Sequence, residues 1–201
     1  MAEKNPTNKW TVFPSPGFSR RDFLIKASLM GVTGLWTLEA LATPAEVEFS
    51  PEIKGDYSGA REDARVLNSS LALEHMLVAF YEHACKSILF KAANQRLAER
   101  FLGHHKLHRD MLMKLITRLG GVPTNPLARY DLESFKSERD LIKSLVDLES
   151  LSSYNYAQNM PLLKNPLLIL NASQILGAEA WHTAAWRMSL GENPAPTALL
   201  Q

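Results

Sequence analysis

From Asn68 onward, apolar residues recur at helical spacing through Leu71, Met76, Leu77, Phe80, Ile88 and Leu89. The pattern predicts a first helix over about 68–91, with Asn68 or Ser69 as its N-cap. A second helix is expected from Asn94 to about Leu119, where Gly120-Gly121 and then Pro123 end it. The segment 121–136 carries Pro123 and Pro126 and is long enough to cross the end of a bundle. Ser137 with Asp140 three residues on resembles a capping box and opens a third helix that runs to Pro161. Asn165-Pro166 supplies an N-cap followed by proline at the first helical position, so a fourth helix runs to about Leu190 and closes at Gly191. No segment alternates strictly between apolar and polar residues with turn dipeptides at its ends, so no sheet is expected. The fold class is all-α. Connections that run short, long, short suit two antiparallel hairpins joined by one crossover rather than a simple up-down bundle. Residues 43–66 are weakly periodic and hold Pro44, Pro51 and Gly55, which predicts an extended lead-in before a bundle over 67–201.

Polar residues interrupt these apolar stripes in a repeating way. Glu74 is followed seven residues later by Tyr81, and Glu149 seven residues later by Tyr156. Seven residues is two helical turns, so each glutamate shares a face with its tyrosine. The second helix carries His105 and His108, and the fourth carries Glu179 and His182, each pair at i, i+3. Glu74 precedes His105 by 31 residues and Glu149 precedes Glu179 by 30, so the two halves superpose. Residues equidistant from the turn of an antiparallel hairpin lie at equal height. The midpoints fall near residue 90 and near residue 165, at the two expected turns. Both hairpins therefore bring their polar residues to one level, and six side chains can converge. The surrounding stripes are apolar: Phe101, His105, His108, Leu112 on one helix and Ile175, Glu179, His182, Trp186 on another. A carboxylate in such a stripe is costly unless it is paired with a cation or bound to a metal. The stripes hold few basic partners, which favours metal.

Composition narrows the chemistry. The chain has 201 residues, 22 Lys plus Arg against 21 Asp plus Glu, and a single cysteine. Near-neutral charge argues against a nucleic-acid partner. One cysteine excludes an intrachain disulfide, a CxxC pair and a cysteine-rich zinc site, and the absence of CxxCH excludes covalent haem attachment. Any metal site must be built from carboxylates and imidazoles. Cys85 is expected to be a lone buried thiol, and His75 and His83 to face solvent. Trp181, Trp186, Met111, Met113 and Met188 are expected to pack within the helices.

The charge is uneven. Ser19-Arg20-Arg21-Asp22-Phe23-Leu24-Ile25-Lys26 resembles a twin-arginine export signal. The apolar run from Ala27 to Trp36 is shorter than the roughly 20 residues a membrane-spanning helix needs. Ala40-Leu41-Ala42 offers a cleavage site, with Glu39 just before it leaving open a retained anchor. The signal is expected to cover 1–42. It holds five basic and three acidic residues, which leaves 17 basic and 18 acidic in the remainder. The resemblance implies the twin-arginine export machinery as a partner and a periplasmic or otherwise exported protein. That route often carries folded, cofactor-loaded proteins.

The repeat resembles the ferritin-like dinuclear carboxylate proteins, in which two helices each give a Glu and two others each give Glu-x-x-His. Glu74, Glu149, Glu179 and His182 match that pattern, and His108 matches its second histidine. His105 departs from it, standing where the family has Glu. The resemblance spans about 66–190, and the Leu-x-Leu-Glu opening with an export signal is most similar to exported, desiccation-related members. It implies a ferritin-like four-helix bundle holding two divalent ions, iron or manganese, that react with a small oxidant such as dioxygen or peroxide. The expected metal residues are Glu74, His105, His108, Glu149, Glu179 and His182, with Tyr81 and Tyr156 lining the site or satisfied in the core. A neutral imidazole at 105 bridges metals poorly and steers selection toward iron, copper, nickel or zinc. A mononuclear site and a non-catalytic, stress-protective module are the alternatives, with a haem-binding bundle behind them. His104 lies four residues from His108 and competes with His105 for the ligand role.

Overall fold

The computed structural model describes residues 57–132 and 134–198, so the expected signal over 1–42 and most of the expected lead-in lie outside the described residues. Four helices follow in order: α1 (Ala60–Lys86), α2 (Ala92–Arg118), α3 (Glu138–Asn159) and α4 (Pro166–Ser189). A short 3₁₀ turn at Met160–Leu162 links α3 to the α3–α4 turn. There is no strand among the described residues, as expected for an all-α chain. No helix among them is long and apolar enough to cross a membrane.

The helices form two antiparallel hairpins, α1–α2 and α3–α4, with α1 packed on α3 and α2 on α4. One apolar cluster joins the start of α1 (Leu67, Leu71), the end of α2 (Leu112, Leu115, Ile116), Tyr156 of α3 and the start of α4 (Leu168, Ile175). The other joins the opposite ends: Leu77 and Tyr81, Ala98 and Phe101, Leu141 and Leu145, and Trp186. So α1 runs with α4 and against α2 and α3. The crossover must return along the bundle, a rise of about 40 Å for a 27-residue helix. Between the clusters lies a layer of buried polar residues.

Helix ends agree with the sequence where a cap decides them. Ser137 accepts a hydrogen bond from Asp140 N at 3.2 Å, and Asn165 accepts from Leu167 N at 2.9 Å ahead of Pro166. At the end of α2, Gly120 adopts φ +73°, with Gly120 N bonding Thr117 O and Gly121 N bonding Ile116 O. Gly191 closes α4 through the same Schellman pattern. Gly121 must also lack a side chain, since a Cβ there would stand 2.8 Å from that of Ala64.

Two expected caps are not caps. α1 begins at Ala60, eight residues before the expected start, so Asn68 lies inside the helix. Its amide grips the crossover instead, donating to Val122 O and accepting from Thr124 N. α2 begins at Ala92, and Asn94 donates to Glu138 on α3. His75, expected at the surface, is buried because the crossover covers that side of α1, and its Nε2 pairs with Thr124 O at 3.0 Å. His83 is exposed as expected. Trp181 and Met188, expected in the packing, are exposed at 78% and 66%. α4 is apolar on nearly every face, so periodicity cannot say which side is inward. Met113 is also partly exposed, whereas Trp186 is fully buried and Met111 buried.

Asp63 ties the hairpins together at one end. It is fully buried in the first turn of α1 and accepts from Lys164 N at 2.8 Å, Asn165 N at 3.0 Å and the Tyr57 hydroxyl. Replacing it with alanine leaves two amides of the α3–α4 turn without their acceptor. Asp63→Ala is expected to lower stability by about 3 kcal/mol in urea or thermal unfolding.

Candidate metal centre

The polar layer draws on all four helices. Glu74 comes from α1, His105 and His108 from α2, Glu149 from α3, and Glu179 and His182 from α4. All three carboxylates and His105 are fully buried, and His182 nearly so. Only the His108 side chain keeps some exposure, at 12%. The six sequence-derived candidates therefore converge. They fall into two lobes, Glu74–His105–His108–Glu179 and His105–Glu149–Glu179–His182. Within each lobe the potential ligand atoms lie within 4.8 Å of one another. His105 and Glu179 belong to both, as residues between two metal positions would.

The shared residues differ in their surroundings. His105 spans the layer, with Nδ1 3.1 Å from Glu74 Oε2 and Nε2 3.1 Å from Glu149 Oε1. Glu179 stands between the other two imidazoles. Its Oε1 lies 2.9 Å from His108 Nδ1 and its Oε2 3.6 Å from His182 Nδ1. These are ion-pair distances without hydrogen-bond alignment. Both Glu179 oxygens and His108 Nδ1 are buried and make no hydrogen bond among the described residues. An ionised carboxylate in that state is costly, and a cation among these atoms relieves it. The donor set, three carboxylates and three imidazoles, suits iron, manganese or zinc better than magnesium or calcium.

The tyrosines cross between halves. Tyr81 of α1 donates to Glu149 of α3, and Tyr156 of α3 donates to Glu74 of α1 at 2.8 Å. Each thus serves the glutamate of the other hairpin, although it shares a helix face with its own. Burial, and then the neighbouring carboxylates, push both phenols well above their ordinary range, so they act as donors at neutral pH. Trp186 Nε1 donates to the Tyr81 hydroxyl at 2.7 Å. Leu112 stands at the matching position of α2, so the Tyr156 hydroxyl has no such indole donor among the described residues.

His105, and not His104, enters the layer. His104 stands outside it, half-buried, with Nδ1 2.9 Å from His182 Nε2. Burial and then the neighbouring histidines pull it down to about 4, so it is neutral at pH 7. This contact was legible only as an ambiguity between adjacent histidines. Cys85 lies apart from the cluster in α1, half-buried, its thiol pushed up to about 11 chiefly by burial, and is not set up as a nucleophile.

The chain matches the ferritin-like domain family over residues 62–192. It belongs to that family. No curated protein matches it. Among solved structures it is similar to a conserved hypothetical protein from Mycobacterium tuberculosis, with a TM-score of 0.61 and 22% identity. That alignment covers 71% of this chain and 99% of the other. It is also similar to a ferritin-like, diiron-carboxylate protein from Bacillus anthracis, with a TM-score of 0.59 and 19% identity over 67% of this chain and 99% of that one. At these identities the likeness establishes the ferritin-like fold, here with a buried Glu/His cluster inside it.

The titrations set a pH window for the metal-free chain. Burial raises Glu74 and Glu149, but His108 and His105 outweigh it and leave both below their ordinary value of 4.5. Burial lowers His105 and His108, yet the carboxylates raise both, His108 to about 9. The carboxylates contribute stability above pH 4.5 that is lost on acidification. The imidazoles contribute stability below pH 6.5 that is lost as pH rises through their folded values. The melting temperature of metal-free protein is therefore expected to peak between about pH 4.5 and 6.5 and to fall toward pH 9, as scanning calorimetry across that range checks.

Proposed function

We propose that the bundle holds two divalent metal ions, iron or manganese, and uses them in oxidoreductase chemistry with dioxygen or peroxide, as a ferroxidase or in catalase-like peroxide removal. The observation that carries this reading is Glu179: a fully buried carboxylate, flanked by two histidines, with neither oxygen hydrogen-bonded among the described residues. Glu74 and His108 would hold one ion and Glu149 and His182 the other, with Glu179 between them. The diiron-carboxylate description of the similar Bacillus anthracis protein supports iron. Bound ions of this kind supply Lewis acidity and one-electron redox capacity.

The chain's own residues supply the rest. Tyr156 and Tyr81 orient Glu74 and Glu149 through their hydroxyls, and Trp186 holds Tyr81 in place. Phe101, packed on the His182 ring at 4.0 Å between centroids, and Trp186 keep water from one side of the layer. The N-terminal sequence supports delivery by the twin-arginine machinery to the periplasm or another exported location, with a retained anchor as a variant of that route.

His105 supports a second reading. Both of its ring nitrogens face carboxylates, so a protonated ring compensates Glu74 and Glu149 without metal. That arrangement suits a mononuclear site, or a metal-binding or stress-protective module of the cell envelope without turnover.

Elemental analysis of the purified full chain is expected to find two iron or manganese ions per chain. The Glu179→Ala, His182→Ala double variant is expected to lose them while circular dichroism stays helical. One ion per chain would select the mononuclear reading. Absence of metal from the wild type, with an unchanged fold in the double variant, would sink both metal readings. Oxygen release on adding peroxide separates catalase-like turnover from ferroxidase or non-catalytic binding.

A further inference from the structure

His104 lies one position before His105, yet its contact is with α4. Its Nδ1 stands 2.9 Å from His182 Nε2, and the two rings meet edge to edge, with centroids 5.2 Å apart and planes 23° from parallel. Phe101 packs on the same His182 ring at 4.0 Å. The opposite edge of that ring faces the polar layer: His182 Nδ1 is 3.2 Å from Glu149 Oε2 and 3.6 Å from Glu179 Oε2.

An imidazole binds a metal through an unprotonated nitrogen, and its other nitrogen must then carry the proton and find an acceptor. With Nδ1 of His182 turned to the cluster, the proton belongs on Nε2. The acceptor in reach is His104 Nδ1, which places the proton of His104 on its own Nε2. The other lobe lacks this device. The α4 position that matches His104 in the repeat is Ala178, which offers no side-chain acceptor to His108.

The geometry assigns to His104 the positioning of His182: it accepts the Nε2 proton, holds Nδ1 toward Glu149 and Glu179, and makes the His182 lobe the tighter of two unequal metal positions. This inference rests on the metal reading above. It gives His104 no contact with the ion.

Cobalt(II) titration of the full chain, followed by visible absorption, tests it with wild type, His104→Ala and His104→Asn. Asparagine places an amide oxygen close to where Nδ1 stands, so it keeps the acceptor and removes the ring. Wild type is expected to bind in two steps of unequal affinity. His104→Ala is expected to weaken the tighter step by about 10–100-fold and to spare the weaker one. His104→Asn is expected to recover most of that loss. Matching melting curves of the metal-free proteins separate a lost acceptor from lost folding. Unchanged cobalt affinities in a folded His104→Ala protein would overturn the inference, as would equal loss from both steps. Nitrogen-15 NMR of the zinc-loaded wild type gives an independent reading that needs no variant: a proton on His182 Nε2 is expected, and a proton on Nδ1 would overturn it. If wild type takes up neither cobalt nor zinc, the metal reading itself has failed, a result distinct from metal uptake with no dependence on His104.

Discussion

Three carboxylates buried in one apolar bundle set the terms for everything around them. Glu74, Glu149 and Glu179 are each fully excluded from solvent, with a hydrophobic cluster on either side along the helices. Such groups are tolerated only where every oxygen has a donor or a cation. Glu74 and Glu149 have theirs, from His105, from the crossed tyrosines and, at Glu149 Oε2, from His182. Glu179 does not. One carboxylate of the three is thus left short of hydrogen bonds, and this imbalance favours a metal-centre reading over a purely structural ion-pair network.

The departure at position 105 acts in the opposite direction. A fourth carboxylate there would add negative charge to a layer that already strains to hold three. An imidazole in that place can be protonated and so neutralise charge, or neutral and so donate a lone pair. The same side chain that keeps the metal-free layer intact must change role when an ion enters. Affinity for metal and stability without it are therefore opposed at one residue.

Much of this was legible in the sequence, because the Glu–Tyr spacing and the i, i+3 pairs repeat at nearly equal separations. Equal separation about a turn is a geometric constraint, and it places Glu74, His105, His108, Glu149, Glu179 and His182 at one height. Ser137, Asn165, Gly120 and Gly191 fixed helix ends for the same reason: each does something only that residue type does well. The failures share a cause. Asn68 and His75 looked like a cap and a surface residue because their partner, the crossover, is remote in sequence and has no periodicity. Trp181 and Met188 looked internal because α4 is apolar all round. The partner of each tyrosine was also hidden, since spacing reports which face a residue shares and not which helix it meets.

The crossed tyrosines have a consequence for the architecture's origin. Tyr81 meets Glu149 and Tyr156 meets Glu74, so residue i of one half contacts residue j of the other, and the reverse. That reciprocity is the contact rule of an isologous interface between two identical subunits related by a twofold axis. A lone hairpin would bury its glutamate facing an absent phenol. Two copies would satisfy one another. The chain carries, within one polypeptide, the bonding pattern of a symmetric dimer of helical hairpins, and the two halves differ where His105 stands against Glu179, His104 against Ala178 and Leu112 against Trp186.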